Sequence, residues 1–272
     1  MSGATIRYRD ARDGVTLLER HWSSEPGEAH VIIVHGLGEH SGRYEHVGGR
    51  LAGEGFDTVG FDLRSFGRSG GRTRSYVDSF EQLLDDLEDQ MLDARRADGP
   101  VVVLGHSMGG LIAVAYAVSE RPQPDGYVIS APPLGVEAPW WQWVMSRVLT
   151  RWAPRLSIPN NIDATTLSRD VAVQQGYDAD PLVQHGVTVR LGAEMFAAMD
   201  QTAARLGRIR VPMLVLHGAE DQLVHPRYSA SLGGLPGVRR ELLEGLRHEI
   251  FNEPEGDAVL DRVVAWLRTT VV

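Results

Sequence analysis

The chain has 272 residues and a formal net charge of −9 at pH 7. It contains no cysteine, and all 27 of its Lys+Arg residues are arginine. This excludes lysine Schiff bases, P-loop lysines, thiol nucleophiles, disulfides and Cys-ligated zinc, and the negative balance argues against a nucleic-acid partner.

The predicted elements run as follows. Ile6–Arg9 and Val15–Trp22 have period-two character, and Asp13-Gly14 between them is a hairpin signal. Val31–Val34 is wholly apolar and β-branched, as expected of a parallel strand buried on both faces. Tyr44–Ala52 reads as a helix and Asp57–Phe61 as a strand. Ser79–Ala97 sets Phe80, Leu83, Leu84, Leu87, Met91 and Leu92 at helical spacing, with Ser79 as the expected cap. Val101–Leu104 is the next buried strand, Leu111–Val118 an apolar helix and Tyr127–Ser130 a strand. Met213–Leu216 and Glu241–Leu243 follow as strands. Gly256–Arg268 closes the chain as an amphipathic helix, with Val259, Val263, Trp266 and Leu267 on one face.

Strands alternating with helices predict an α/β fold with a mostly parallel sheet. Residues 135–207 break the rhythm. They hold no buried strand but four of the six tryptophans, and they read as an insertion into a core made of 1–134 and 208–272. No apolar leader precedes Ile6, and no run reaches the roughly 20 apolar residues that cross a bilayer. The expectation is a soluble, cytoplasmic protein.

Gly105-His106-Ser107-Met108-Gly109 matches G-x-S-x-G between a predicted strand and a predicted helix, the context in which this motif presents a nucleophilic serine. A serine needs a base, and the base an orienting acid. Asp221 lies a few residues past the strand Met213–Leu216, and His248 lies just past the last strand. Ser107, Asp221 and His248 thus form a candidate triad in the chain order that such folds use. Glu220 is the rival acid, and His185, His217 and His225 are the rival bases. For the oxyanion hole, the expected donors are the N–H of Met108 and that of Leu37, in the glycine-rich loop after Val31–Val34.

These residues resemble the α/β-hydrolase family, and within it the monoacylglycerol lipase and lysophospholipase group. Three stretches carry the resemblance: His35-Gly36-Leu37-Gly38-Glu39-His40-Ser41-Gly42-Arg43-Tyr44; Gly105-His106-Ser107-Met108-Gly109-Gly110; and Leu167-Ser168-Arg169-Asp170 with Tyr177-Asp178-Ala179-Asp180-Pro181-Leu182. The run Asp62-Leu63-Arg64-Ser65-Phe66-Gly67-Arg68-Ser69 fits the general family's D-x-R-G-x-G-x-S loop, with Ser65 in place of the usual glycine.

The resemblance implies an α/β-hydrolase with an inserted helical cap that cleaves monoacylglycerol to fatty acid and glycerol, without metal or organic cofactor. The alternatives that keep the triad are a lysophospholipase and a short-chain carboxylesterase. A non-catalytic ligand-binding protein of this fold is the remaining reading. By motif position, the resemblance makes Glu39, Arg43 and Tyr177 candidates for contacting the glyceryl hydroxyls. Mammalian members carry a second histidine shortly after the catalytic one, where this chain has His248-Glu249-Ile250-Phe251. Trp140, Trp141 and Trp143, mixed with arginines such as Arg147 and Arg151, give the cap the expected character of a peripheral membrane contact.

Overall fold

The structure is a computed structural model describing residues 3–24, 27–135 and 148–272. Strands β1 (Thr5–Asp10) and β2 (Thr16–Trp22) form the expected hairpin, and Gly14 in its turn has φ 81°. Next come β3 (Ala29–Val34), α1 (Glu45–Gly53), β4 (Phe56–Phe61), α2 (Glu81–Ala94), β5 (Val101–His106), α3 (Met108–Ala117) and β6 (Gly126–Ser130). The segment that breaks the rhythm contains β7 (Ser157–Pro159), α4 (Ala164–Leu167), α5 (Val171–Ala179), β8 (Gly186–Thr188) and α6 (Val189–Ala203). The chain closes with β9 (Met213–Gly218), β10 (Val238–Leu243) and α7 (Gly256–Thr270).

Eight strands form one sheet in the order β1-β2-β4-β3-β5-β6-β9-β10. Only the β1–β2 and β2–β4 pairings are antiparallel; the other five are parallel. The apolar strands feed two cores, because successive side chains point to opposite faces. Ile32, Val34, Val101, Val103, Met213 and Val215 join a core shared with α2, α3 and α6. Val31, Ile33, Val102, Leu104, Leu214 and Leu216 join a second core with α1 and α7. The face predicted for the last helix is buried there: Val259, Val263, Trp266 and Leu267.

Two expectations need correction. Ser79 does not cap α2. The cap position is Phe80, whose side chain cannot accept, and its N–H instead donates to Glu194 Oε2 of α6 at 2.9 Å. The helix predicted to begin at Leu111 begins at Met108, directly after the serine of the motif.

Residues 135–207 carry a small apolar cluster of their own, Ala164, Leu167, Tyr177 and Val183. Their last helix, α6, sends Leu191, Met195 and Met199 into the first main core. The β7–β8 ribbon was not predicted. It pairs only three residues and buries little, so it leaves no apolar signature. Among the described residues, no helix is long and apolar enough to cross a membrane. Trp140, Trp141 and Trp143 lie outside the described residues.

Candidate active site

Ser107 occupies the single residue between β5 and α3, with φ 52° and ψ −118°. A non-glycine residue there is strained by about 1–3 kcal/mol. Close backbone packing holds it: a Cβ on Gly109 would come within 2.0 Å of the Val34 carbonyl oxygen. Ser107 N–H donates to the Ser130 carbonyl at 2.9 Å, which ties the turn to β6. Met108 opens α3, so its N–H is among the first of that helix, which have no intrahelical partner.

The carboxylate comes from the loop after β9. Asp221 is buried; its Oδ1 accepts the N–H groups of Leu223 at 2.9 Å and Val224 at 2.8 Å. Its Oδ2 accepts from His248 Nδ1 at 2.7 Å. Burial pushes Asp221 up, but the His248 charge, the two histidine contacts and the Val224 N–H hold it well below the usual carboxylate range. Burial pushes His248 down, but the field of Asp221 and its hydrogen bond win, and the imidazole sits above its ordinary value. Of the rivals, Glu220, His185 and His225 are exposed; His225 lines a cavity in common with Ser107, but its Nδ1 accepts the Arg227 N–H at 3.2 Å. His217 is buried against Asp221 itself, with Nε2 3.1 Å from Oδ2.

The loop after β3 lies against the serine, since a Cβ on Gly36 would be 3.1 Å from Ser107 Cβ. His35 orients this loop. Its Nε2 accepts from Leu63 N–H at 2.9 Å, so Nδ1 carries the proton and donates to the Gly36 carbonyl at 2.8 Å. The Gly36–Leu37 peptide is planar, so Leu37 N–H points away from His35. Glu39 Oε1 accepts from Gly36 N–H at 2.5 Å and from Tyr44 O–H at 2.8 Å.

Ser107, His248, Leu37, Glu39 and Tyr177 all line one cavity of about 500 Å³. Ile162, Leu167, Met195, Met199 and Val224 form its apolar wall. Arg43 is set back. Its Nη2 donates to both carboxylate oxygens of Glu249, at 2.8 and 2.6 Å, and its Nε lies 3.3 Å from Glu39 Oε2. Its guanidinium also stands 4.9 Å from the Tyr177 ring centroid. Burial pushes Glu39 up, yet Arg43 above all holds it below its ordinary value. Among the described residues the buried Tyr177 hydroxyl has no hydrogen-bond partner, and burial raises it to about 12.

Three groups here had no role in the sequence reading. They are His35, which turns the loop; Glu249, which lines the cavity and takes Arg43; and His106. The His106 ring lies 4.8 Å from that of His248, and its Nδ1 is 2.9 Å from Ser130 Oγ. Burial, then the His248 charge, push His106 down to about 3, so it stays neutral beside the base. Among the described residues, no group of three or more metal-ligating side chains is placed to hold an ion.

The arrangement places a strained hydroxyl, a carboxylate-bound imidazole and a rigid amide loop around one cavity. The chain that carries it is similar to known proteins along most of its length. A family model described as serine aminopeptidase, S33, matches residues 25–255. The monoacylglycerol lipase of Mycolicibacterium smegmatis is 33% identical, over 93% of each chain. Phospholipase YtpA of Bacillus subtilis is 32% identical over 88% of this chain and 94% of that one. The crystal structure of a Paleococcus ferrophilus monoacylglycerol lipase superposes with a TM-score of 0.84 at 31% identity, covering 93% of this chain and 99% of that one. With a family match across most of its length and relatives this similar from end to end, the chain belongs to the serine aminopeptidase S33 family of α/β-hydrolases.

Proposed function

We propose that the chain is a serine hydrolase that cleaves monoacylglycerol to a free fatty acid and glycerol. The observation that carries this is Ser107, strained at the wall of an apolar-lined cavity that His248, bonded to Asp221, also lines. His248 Nε2 takes the proton of Ser107 as Oγ attacks the ester carbonyl. Leu37 and Met108 N–H groups hold the oxyanion, each contributing about 3 kcal/mol of barrier lowering. His248 then protonates the departing glycerol oxygen. Water repeats the sequence on the acyl-enzyme and releases the fatty acid.

The polar end of the cavity supports a neutral polyol head. Glu39 and Glu249 line it, while the Arg43 guanidinium behind them is occupied by both. A phosphate head would face two carboxylates, whereas glyceryl hydroxyls donate to them, and Tyr177 O–H supplies a further partner. Glu39 and Tyr177 therefore contact the head directly, and Arg43 fixes the carboxylates. Residues 135–207 act as the cap over this site. Their exposed Val148, Trp152, Leu156 and Ile158, with Arg151 and Arg155 between them, support a peripheral contact with lipid surfaces, shared with Trp140, Trp141 and Trp143.

The test is a comparison of kcat/KM on monoacylglycerol, lysophosphatidylcholine, lysophosphatidate and p-nitrophenyl butyrate. Monoacylglycerol should be the fastest acyl lipid and lysophosphatidate the slowest, and Ser107→Ala should fall to background on all. Faster turnover of a lysophospholipid, or a Ser107→Ala variant that keeps its activity, would overturn the reading.

A further inference from the structure

Asp221 holds a second histidine besides the base. His217 ends its ring at the same oxygen: Nε2 is 3.1 Å from Asp221 Oδ2 and 2.8 Å from the Val224 carbonyl. Both are acceptors, so Nε2 carries a proton. On the other side of the ring, Nδ1 is 2.8 Å from Ser229 Oγ. Arg240 Nε donates to that hydroxyl at 3.1 Å, and Arg240 Nη2 donates to the Pro226 carbonyl at 2.8 Å. Ser229 Oγ also lies 3.1 Å from the Pro226 carbonyl, a second acceptor; with Nε2 protonated, Nδ1 of the neutral ring accepts at the shorter 2.8 Å, and the Ser229 proton goes there.

The result is a chain of hydrogen bonds with one direction. It runs from Arg240 to Ser229, from Ser229 to His217, and from His217 to Asp221, where it meets the bond donated by His248. Asp221 then has all of its roughly four acceptor positions filled, two by backbone N–H and two by imidazole. The carboxylate cannot rotate without breaking several bonds at once.

We propose that His217 is a positioning residue for the hydrolytic reaction: it fixes Asp221 Oδ2 toward His248, and by sharing that oxygen it moderates how tightly His248 holds its proton. This rests on the triad reading above. His248 also faces His106 from β5, Glu39 from the loop after β3, and Glu249 beside it in sequence.

His217→Phe removes the shared donor. The remaining bond from His248 to Asp221 then tightens, and the acid limb of kcat/KM should move up by about half a pH unit. The kcat should fall by about 10-fold, the size of one well-placed hydrogen bond, with KM unchanged. His217→Gln, whose amide N–H reaches the same point, should return both toward the native values. Ser229→Ala keeps the ring and its tautomer but removes the hydroxyl that braces it at Nδ1, so the ring is held toward Asp221 from one side only. It should lower kcat several-fold with KM unchanged, which keeps the idea testable if the phenylalanine variant does not fold. A folded His217→Phe with native kcat and acid limb would overturn it. So would His217→Gln losing as much as His217→Phe, or Ser229→Ala leaving kcat untouched. Retained activity in Ser107→Ala would instead sink the triad reading, independently of His217.

Discussion

His248 Nδ1 lies 2.7 Å from Asp221 Oδ2, and both side chains are buried. The carboxylate is held below its usual range and the imidazole above its own. His248 must be neutral to accept the Ser107 proton, so activity is present above its raised pKa and is lost as pH falls through it. The acid limb of kcat/KM should therefore have its midpoint above the ordinary imidazole value of about 6.5. A rate profile between pH 5 and 9 measures it, and a midpoint below 6.5 would contradict the geometry.

Asp221→Asn removes the charge but keeps the shape. The amide offers His248 Nδ1 an acceptor or a donor, so the imidazole loses its enforced tautomer. The expected loss in kcat is about 10⁴-fold, as for the corresponding change in other triads. The acid limb should also drop, because the largest influence raising His248 is gone. A loss below 10-fold would mean that Asp221 does not orient the base.

Ser107→Gly should abolish activity and stabilise the fold. Serine at φ 52° stores strain that glycine does not feel. Set against the entropy glycine adds to the unfolded chain, a net gain of about 1 kcal/mol remains. For a chain of this size that raises Tm by about 2 °C. Ser107→Ala keeps the strain and is the control. Equal melting temperatures for the two variants would show that the turn is unstrained.

How much of this was readable beforehand depends on the range of the interaction. Val31–Val34 and Val101–Leu104 announce strands because a two-sided burial requires apolar residues at every position. The elbow at Ser107 is legible because its glycines are dictated by local backbone approach. The usual glycine of the Asp62–Ser69 loop also has a local reason: Ser65 stands at φ 70°, and its hydroxyl is tied to the Tyr76 carbonyl at 2.7 Å. What stayed hidden is long-range. Ser79 has the right chemistry for a cap, yet Glu194, 114 residues beyond Phe80, takes the work. Glu249 meets Arg43 across 206 residues, and nothing in either neighbourhood marks the pair. His35 and His217 are written into strand ends as ordinary residues, and their tautomers follow only from what surrounds them.

Arg43 stands between two buried carboxylates, and its removal leaves both uncompensated. Arg43→Met should lose about 3–5 kcal/mol of stability at pH 7. Glu39, no longer held down by Arg43, would then be pushed up by burial. Groups raised in this way favour the folded state when protonated, so the deficit should shrink as pH is lowered toward 5. Urea unfolding of the native and variant chains at pH 7 and pH 5 measures the gap. A gap below 1 kcal/mol, or one that widens in acid, would show that the trio is not coupled.

Tyr177 offers the cleanest separation of head-group binding from chemistry. Its hydroxyl is buried at the cavity wall with no partner among the described residues, a state that costs about 1–3 kcal/mol until a ligand fills it. Tyr177→Phe keeps the ring that faces Arg43 and deletes only that oxygen. The apo protein should become more stable by about 1 kcal/mol, since a penalty disappears. On monoacylglycerol, kcat/KM should fall about 10-fold, because a glyceryl hydroxyl loses its partner. On p-nitrophenyl butyrate, which has no such hydroxyl, it should not change. An equal loss on both esters would place Tyr177 in the framework of the site rather than in contact with the glyceryl head.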